Sequence, residues 1–191
     1  MTRIIGGLAG SRQLTSPAKV TRPTSDRIRE SIFNRLASRD LLDGARVLDL
    51  YAGTGALALE AISRGAISAM LVERDGKAAA VCIKNSQLVQ KALEKEGFFE
   101  AVTKVANKSV QNFLNTDGGE YDLVFIDPPY EVVNEEVIQN LEALLPRLTK
   151  DAVVMVERSS RSDALAIPAG LEIDEEKSYG DTVVYWLNKI D

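Results

Sequence analysis

The sequence predicts an α/β protein built around a mostly parallel β-sheet. From Arg46 onward, short apolar runs alternate with amphipathic stretches, which is typical of strands connected by helices. The chain has 191 residues, 45% of them hydrophobic, which is enough for one domain with a proper core. Charged residues make up 27%, and there are only 13 glycines and 6 prolines, so a disordered or fibrous protein is excluded.

Seven strands and four helices are predicted after residue 40. The predicted strands cover residues 46–50, 68–72, 100–105, 122–126, 152–156, 171–175 and 182–187. The predicted helices cover residues 55–64, 77–93, 108–115 and 134–148. Because no helix-length segment separates the last two strands, we expect them to form an antiparallel hairpin at one edge of the sheet.

The first 39 residues predict a hairpin arm followed by a helix. Strand-like residues 3–5 and 12–14 flank a turn at Gly6 and Gly7. Capping signals at Ser25 and Asp26 then precede one apolar helical stripe, formed by Ile28, Ile32, Phe33 and Leu36. We therefore divide the chain into an N-terminal part, 1–39, that packs on the core, and a main domain, 40–191.

Charge is distributed unevenly between these two parts. Residues 1–39 hold eight basic and two acidic residues, whereas the remainder holds 15 basic and 26 acidic residues. Seven of the eight N-terminal cations are arginines, whose planar guanidinium suits phosphate. A polyanion is therefore a candidate partner of this region. The alternative is a solvated helix face that the acidic body of the protein neutralises.

The absence of histidine and the single cysteine limit the catalytic and metal-binding chemistry that the chain can perform. The chain has no histidine, which excludes Ser/His/Asp triads and histidine metal clusters. Cys82 is its single cysteine, which excludes thiolate zinc sites and intramolecular disulfides, and we expect no metal. We find no secretory signal and no apolar run long enough for a membrane span, and we expect a cytoplasmic protein.

A glycine-rich turn follows the first strand. In this glycine loop, residues 51–55, Gly53 and Gly55 let the backbone approach a ligand, and the helix that follows presents free N–H groups. The pattern also fits a dinucleotide fingerprint, so a nicotinamide-dependent oxidoreductase is an alternative. The carboxylate of Asp49 argues against it, since it would repel a pyrophosphate but bind the ammonium group of an amino acid.

A second acidic residue completes the predicted cofactor site. Glu73 ends the next apolar run, 24 positions after Asp49, where a carboxylate can accept bonds from two ribose hydroxyls. The ligand that these residues predict has a ribose and a zwitterionic tail but no phosphate, which indicates S-adenosylmethionine. Asn107, after the third strand, is a candidate contact for adenine, or alternatively a helix N-cap. The candidate cofactor-binding residues are Asp49, Tyr51, Gly53, Thr54, Gly55, Glu73, Arg74 and Asn107.

The fourth strand runs into an Asp-Pro-Pro-Tyr turn, formed by Asp127, Pro128, Pro129 and Tyr130. The prolines end the strand because they donate no ladder hydrogen bonds. The Asp127 carboxylate and the Pro128 carbonyl can accept both N–H bonds of an exocyclic amine and aim its lone pair at a sulfonium methyl. Tyr130 would stack on the base. The alternative is a rigid turn whose aromatic side chain packs in the core.

With these motifs, the sequence resembles the RsmD-type 16S ribosomal RNA guanine-N2 methyltransferases. The matching residues are 3–7, 22–24, 26, 27, 29, 30, 34, 47–60, 63–66, 73, 127–130, 179 and 180. Two residues depart from the pattern. Ser11 stands where the family usually has glycine, and Asn107 stands where methyltransferases often have aspartate. The resemblance implies a Rossmann-like class I methyltransferase with a seven-stranded, mostly parallel sheet, an antiparallel last strand and an N-terminal hairpin and helix extension.

The resemblance also implies a substrate. It points to one guanine of small-subunit rRNA, within a ribosomal subunit or an assembly intermediate, and we expect the enzyme to be a monomer. The N-terminal residues expected to contact this RNA are Arg3, Arg12, Arg22, Thr24, Arg27 and Arg29.

Two further alternatives stay open at this point. The same turn could methylate adenine N6 in DNA or a glutamine amide, although those enzymes, by resemblance, more often have asparagine in place of Asp127. A non-catalytic RNA-binding assembly factor is the other alternative, and the intact Asp-Pro-Pro-Tyr turn argues against it.

Overall fold

A seven-stranded sheet with helices on both faces forms the centre of the computed structural model, which describes residues 2–16 and 25–190. The strands are β1 (Arg46–Leu50), β2 (Ser68–Val72), β3 (Val102–Ala106), β4 (Tyr121–Ile126), β5 (Leu148–Ser159), β6 (Leu171–Tyr179) and β7 (Thr182–Lys189). The helices are α1 (Asp26–Ser38), α2 (Ala56–Ser63), α3 (Gly76–Lys95), α4 (Val110–Thr116) and α5 (Asn134–Leu144).

The strand order is β3-β2-β1-β4-β5-β7-β6. All neighbouring pairs up to β5 are parallel, whereas β7 runs antiparallel to both β5 and β6. Strands β6 and β7 form the expected hairpin, with β6 at the edge. The predicted mostly parallel sheet with an antiparallel last strand is thus confirmed.

Two hydrophobic clusters cover the faces of the sheet. Helices α1, α2 and α3 pack on one face, and α4 and α5 pack on the other. Buried residues alternate between the two clusters along each central strand, as in β4, where Phe125 belongs to one cluster and Ile126 to the other.

The boundary between α5 and β5 differs from the prediction. The helix predicted over 134–148 ends at Leu144, because Pro146 cannot continue it and the chain forms a short 3₁₀ helix, Leu145–Arg147. Strand β5 then begins at Leu148 rather than at residue 152. Its first residues include the exposed Lys150 and Asp151, so the apolar run marked only the buried part of the strand.

The N-terminal arm forms the expected hairpin, although its two segments are too short to count as regular strands. An antiparallel bridge joins Arg3 to Gln13, and backbone hydrogen bonds of 2.9 Å from Ile4 to Arg12 and from Leu14 to Thr2 lie on either side of it. Side chains of α2 also bind the arm backbone. The amides of Ile5 and Gly6 donate to the Glu60 carboxylate at 2.6 and 2.8 Å. These contacts satisfy backbone donors that a strand ladder would otherwise pair.

Close packing of the arm on α2 also explains one glycine. Gly7 has a φ of +75°, and a Cβ atom there would lie 1.9 Å from the carbonyl oxygen of Ser63. The Ser63 hydroxyl accepts from the amide of Ala9 and donates to the carbonyl of Gly6. No larger residue can therefore replace Gly7 without moving the arm away from α2.

Helix α1 begins as predicted. The Ser25 side chain accepts from the amide of Ile28 as N-cap, and the buried stripe includes Ile32, Phe33 and Leu36. The Phe33 ring lies 5.9 Å from the Phe125 ring of β4, so the described part of 1–39 shares its core with the sheet. The domain boundary at residue 39 stays a prediction.

Glu60 should be the main polar anchor of the arm. It is fully buried in an otherwise apolar helix, and it also accepts from Arg64 Nε at 2.7 Å. We expect Glu60→Gln to lower the free energy of unfolding by about 1–3 kcal/mol, because it leaves buried donors poorly paired. Urea denaturation measures this change.

Glu142→Gln is the matched control, since Glu142 is an exposed glutamate of α5. Its effect should stay within about 0.5 kcal/mol. Equal effects of the two substitutions would show that the arm does not depend on Glu60.

Candidate active site

Four neighbouring strands end at the same level. Leu50 of β1 pairs with Val72 of β2 on one side and with Ile126 of β4 on the other, and Val72 pairs with Ala106 of β3. The residues that follow these strand ends are Tyr51, Glu73, Asn107 and Asp127. The register of the sheet therefore brings the glycine loop and the Asp-Pro-Pro-Tyr turn to one edge, where open α/β sheets bind ligands.

A cavity of about 650 Å³ lies at this edge. The predicted cofactor residues that line it are Asp49, Tyr51, Gly53, Thr54, Glu73 and Arg74. All four residues of the Asp-Pro-Pro-Tyr turn line it as well. The structure thus brings both predicted motifs into one cavity.

The two glycines of the glycine loop have different roles. Gly55 has a φ of +79°, and a Cβ atom there would lie 2.7 Å from Leu71 Cδ2, so it is required for packing of α2 on β2. It does not line the cavity. Gly53 lines the cavity, and the nearest atom to a Cβ at Gly53 is the Tyr51 carbonyl oxygen at 4.0 Å. Gly53 therefore leaves room for a ligand close to the backbone.

Glu73 is held by backbone donors at the end of β2. Its two carboxylate oxygens accept from the amides of Gly53 at 2.9 Å and Asp75 at 2.8 Å. Each oxygen retains a further lone pair, which a ligand hydroxyl can use. Glu73 thus connects the glycine loop to β2.

Asn107 stabilises the loop that follows β2. Its amide nitrogen donates to the carbonyls of Glu73 at 2.8 Å and Arg74 at 2.9 Å. Asn107 does not line the cavity, and the N-cap of α4 is Ser109. The helix-cap alternative for Asn107 is therefore wrong, and its contact with adenine stays a prediction.

Asp49 is a buried acid beneath the glycine loop. Burial, followed by the charges of Asp127 and Glu73, raises the pKa of Asp49 to about 8, and the hydrogen bond from the Ala58 amide opposes this shift. A buried carboxyl with two acidic neighbours favours a cation in the same cavity. The chemistry of this site therefore suits a positively charged ligand.

The Asp-Pro-Pro-Tyr turn projects from the end of β4. The Tyr130 side chain is 63% exposed, so the alternative of a core-packed aromatic is wrong. The amide of Val132 donates to the Pro129 carbonyl at 3.0 Å, which closes the turn. Arg158 of β5 fixes the following loop by donating to the Val132 carbonyl at 2.8 Å and to Asn134 Oδ1 at 3.0 Å.

Arg158 was not predicted from the sequence. It is buried, and burial lowers its pKa. A charged residue at the end of an apolar strand is the signal that could have revealed it, because a buried guanidinium requires hydrogen-bond partners.

The described part of the N-terminal basic region is not one exposed surface. Arg3, Arg12 and Arg27 are exposed as expected. Arg29 is only 1% exposed and lines the cavity, so its expected contact with RNA, which stays a prediction, would be made inside the cavity. Arg22 and Thr24 lie outside the described residues.

Two other arginines of α1 are neutralised by the sheet edge. Arg35 pairs with Asp174 and Glu175 of β6, and Arg39 pairs with Asp174 at 2.7 Å. For these two side chains the structure favours the alternative of a neutralised helix face.

The described residues contain neither a candidate membrane span nor a metal-binding cluster. No helix among them is both long and apolar enough to cross a membrane. Within the same residues there is no group of three or more histidine, cysteine, aspartate or glutamate side chains arranged to hold a metal ion.

Comparisons with known proteins identify the family. The family model described as Conserved hypothetical protein 95 matches residues 2–188. Ribosomal RNA small subunit methyltransferase D of Escherichia coli K12 is 37% identical over 180 residues, which cover 93% of this chain and 85% of that protein. The protein of the same name from Haemophilus influenzae is 31% identical over 181 residues, with coverages of 93% and 89%.

A solved structure agrees with the sequence comparisons. The structure of yhhF from Escherichia coli superposes with a TM-score of 0.81 at 31% identity and covers 98% of this chain and 97% of that one. The fold is thus the Rossmann-like fold of class I methyltransferases. The chain belongs to the Conserved hypothetical protein 95 family, the RsmD-type methyltransferases.

Proposed function

We propose that this protein transfers a methyl group from S-adenosylmethionine to the N2 amine of one guanine in small-subunit rRNA. The observation that carries the proposal is that Asp127 and the glycine loop begin at the same level of adjacent strands and line one cavity. The relatives named ribosomal RNA small subunit methyltransferase D support the choice of RNA.

The cavity residues fit this cofactor. Asp49 is a buried acid suited to the ammonium group of the methionine tail, and Glu73 offers two oxygens to the ribose hydroxyls. Gly53 leaves space for the ligand beside the backbone. When bound, S-adenosylmethionine supplies a methyl group on a positively charged sulfur, so no metal is required.

Positioning the amine is the task of the Asp-Pro-Pro-Tyr turn. The exocyclic nitrogen of guanine is a poor nucleophile, because its lone pair is delocalised into the ring. The Asp127 carboxylate and the Pro128 carbonyl accept its two N–H bonds and direct the lone pair across the cavity. Asp127 also provides an oxygen that can take the proton which the amine loses on methylation.

Tyr130 is placed to receive the base. Its ring is exposed at the cavity, so it can stack on a guanine that has left its helix or stack in the RNA. Flipping out a base costs a few kcal/mol, which phosphate contacts by exposed residues such as Arg12 and Arg27 would offset. We propose a ribosomal subunit or assembly intermediate as substrate, a monomeric enzyme and a cytoplasmic location.

The alternatives differ in the product that they form. A nicotinamide-dependent oxidoreductase would bind a pyrophosphate in a cavity where Glu73 and Asp127 lie close to the buried Asp49 carboxyl, and this acidic cluster disfavours it. Adenine-N6 and glutamine-amide methylation use the same acceptor chemistry, so only analysis of the product separates them from guanine-N2 methylation. An RNA-binding assembly factor would transfer no methyl group.

Methyl transfer can be tested with tritiated S-adenosylmethionine and small ribosomal subunits from a strain that lacks the enzyme. We expect label in the rRNA, and nuclease digestion should assign it to N2-methylguanosine. Unlabelled subunits would contradict the proposed function if calorimetry shows the cofactor bound under the same conditions. Label in adenine or protein would instead support the alternatives.

Asp127→Ala should separate chemistry from cofactor binding. We expect kcat to fall by at least about a hundredfold because the amine loses its orientation, while the Kd for S-adenosylhomocysteine changes little. Asp151→Ala is the matched control, since Asp151 is an exposed aspartate at the start of β5. A large loss of cofactor affinity in Asp127→Ala, with kcat preserved, would refute the assigned role.

Cofactor binding should depend on pH through Asp49. Its pKa is raised to about 8, so at pH 7 the ligand-free carboxyl is mainly protonated. A bound ammonium group favours the ionised form, so binding releases a proton and affinity for S-adenosylhomocysteine rises as pH increases towards 8. Asp49→Asn should bind more weakly and lose this component of the pH dependence. A proton release equal in both proteins, measured by calorimetry in two buffers, would contradict this role.

The same pKa shift has a consequence for stability. The folded protein retains a proton at Asp49 that the unfolded chain loses above its ordinary pKa of 3.8. The stability of the ligand-free protein should therefore decline as pH rises from 3.8 towards about 8. Asp49→Asn should reduce this decline, which urea denaturation across the pH range measures.

A further inference from the structure

Arg29 is a buried cation in the wall of the active-site cavity. Its side chain is 2% exposed, and Nη2 donates to the carbonyl of Arg3 at 2.9 Å and to Asp26 Oδ1 at 2.7 Å. Nε and Nη1 are buried and have no hydrogen-bond partner in the described part of the protein. Most of the donor capacity of this guanidinium is therefore unused.

Unused donors at this position indicate a ligand with acceptor atoms. Guanidinium can only donate hydrogen bonds, and buried donors in folded proteins are nearly always paired. Arg29 lines the same cavity as Asp127 and Tyr130. An acceptor on a molecule bound in the cavity would satisfy it.

Helix α1, which carries Arg29, packs against β4, the strand that leads into the Asp-Pro-Pro-Tyr turn. Phe33 of α1 contacts Phe125 of β4, and the Arg35 guanidinium lies 4.8 Å from the ring centre of Trp186 in β7. The predicted cofactor residues lie instead at the ends of β1 and β2. The charges that raise the pKa of Asp49 are those of Asp127 and Glu73.

The acceptors of the Asp-Pro-Pro-Tyr turn do not by themselves distinguish guanine from adenine. Asp127 and the Pro128 carbonyl bind an amine through acceptors alone, and adenine and guanine both carry an amine. A donor for an acceptor that adenine lacks would select guanine, and guanine O6 is such an atom.

We propose that Arg29 donates a hydrogen bond to O6 of the target guanine and selects guanine over adenine. An adenine bound to the turn through its N6 amine would present its C2–H, which is not an acceptor, where guanine presents O6, so the guanidinium donors would stay unpaired. This inference rests on the proposed function and assigns a specificity-determining residue to it.

The test uses small subunits reconstituted with rRNA that carries either guanine or 2-aminopurine at the methylated position. 2-Aminopurine keeps the N2 amine but lacks O6 and the N1–H, so the comparison with Arg29→Gln is what isolates the contribution of O6. Wild-type enzyme should methylate the 2-aminopurine subunits with a kcat/KM lower by roughly tenfold or more. In Arg29→Gln, kcat/KM on guanine should fall to a similar extent, and the difference between the two bases should shrink.

Asp26→Asn is the control, because it removes a partner of Nη2 and leaves Nε and Nη1 in place. It should retain the discrimination between the two bases. If Arg29→Gln does not fold, as judged by its Tm, Arg29→Lys replaces it and should show reduced discrimination. Equal kcat/KM values of the wild-type enzyme for the two bases would overturn the proposal.

A second measurement distinguishes the base from the cofactor as the partner of Arg29. If Arg29 bound the methionine carboxylate, Arg29→Gln would weaken S-adenosylhomocysteine but not 5′-methylthioadenosine, which lacks that carboxylate, and the proposal would be wrong. We expect the Kd for both compounds to change little. The absence of any methylated guanine would refute the proposed function itself, whereas methylation without discrimination by Arg29 would refute only this inference.

Discussion

The register between β1 and β4 is the constraint on which the site depends. Leu50 pairs with Ile126, so the glycine loop and the Asp-Pro-Pro-Tyr turn leave the sheet at the same level on adjacent strands. Pro128 and Pro129 prevent β4 from continuing and make the chain after Ile126 extended and stiff. Two rigid backbone segments thus face one cavity, and the side chains in it need little further ordering when a ligand binds.

This arrangement concentrates negative charge. Asp49, Glu73 and Asp127 lie close enough that the two neighbours raise the pKa of Asp49. Such a cluster is costly without a cation, and it gives the site a preference for a positively charged ligand. The arm and α1 bring Arg29 to the other side of the same cavity, and Glu60 holds the arm in place. The described part of the N-terminal region therefore contributes to the wall of the cavity.

Much of this organisation was predictable, because apolar runs and proline positions act locally. The strands and both cavity motifs followed from those patterns. The way in which the arm is anchored was not predictable, since the hydrogen bonds from its backbone to Glu60 and Ser63 form only when α2 packs beside it. The burial of Glu60 had a signal: it is the single charged residue among apolar neighbours in α2.

Counting Arg29 among the N-terminal arginines gave no information on its burial. Its spacing does, because Ile32, Phe33 and Leu36 follow it by three, four and seven positions and share its face of α1. Helical periodicity therefore gave better information about this side chain than its type.

A crystal structure of the enzyme with S-adenosylhomocysteine and guanosine would test the central claim most directly. We predict that the guanosine N2 atom lies between the Asp127 carboxylate and the sulfur atom, within hydrogen-bond distance of Asp127 and of the Pro128 carbonyl. A sulfur atom bound away from the Asp-Pro-Pro-Tyr turn, or an Asp127 side chain directed out of the cavity, would contradict the account.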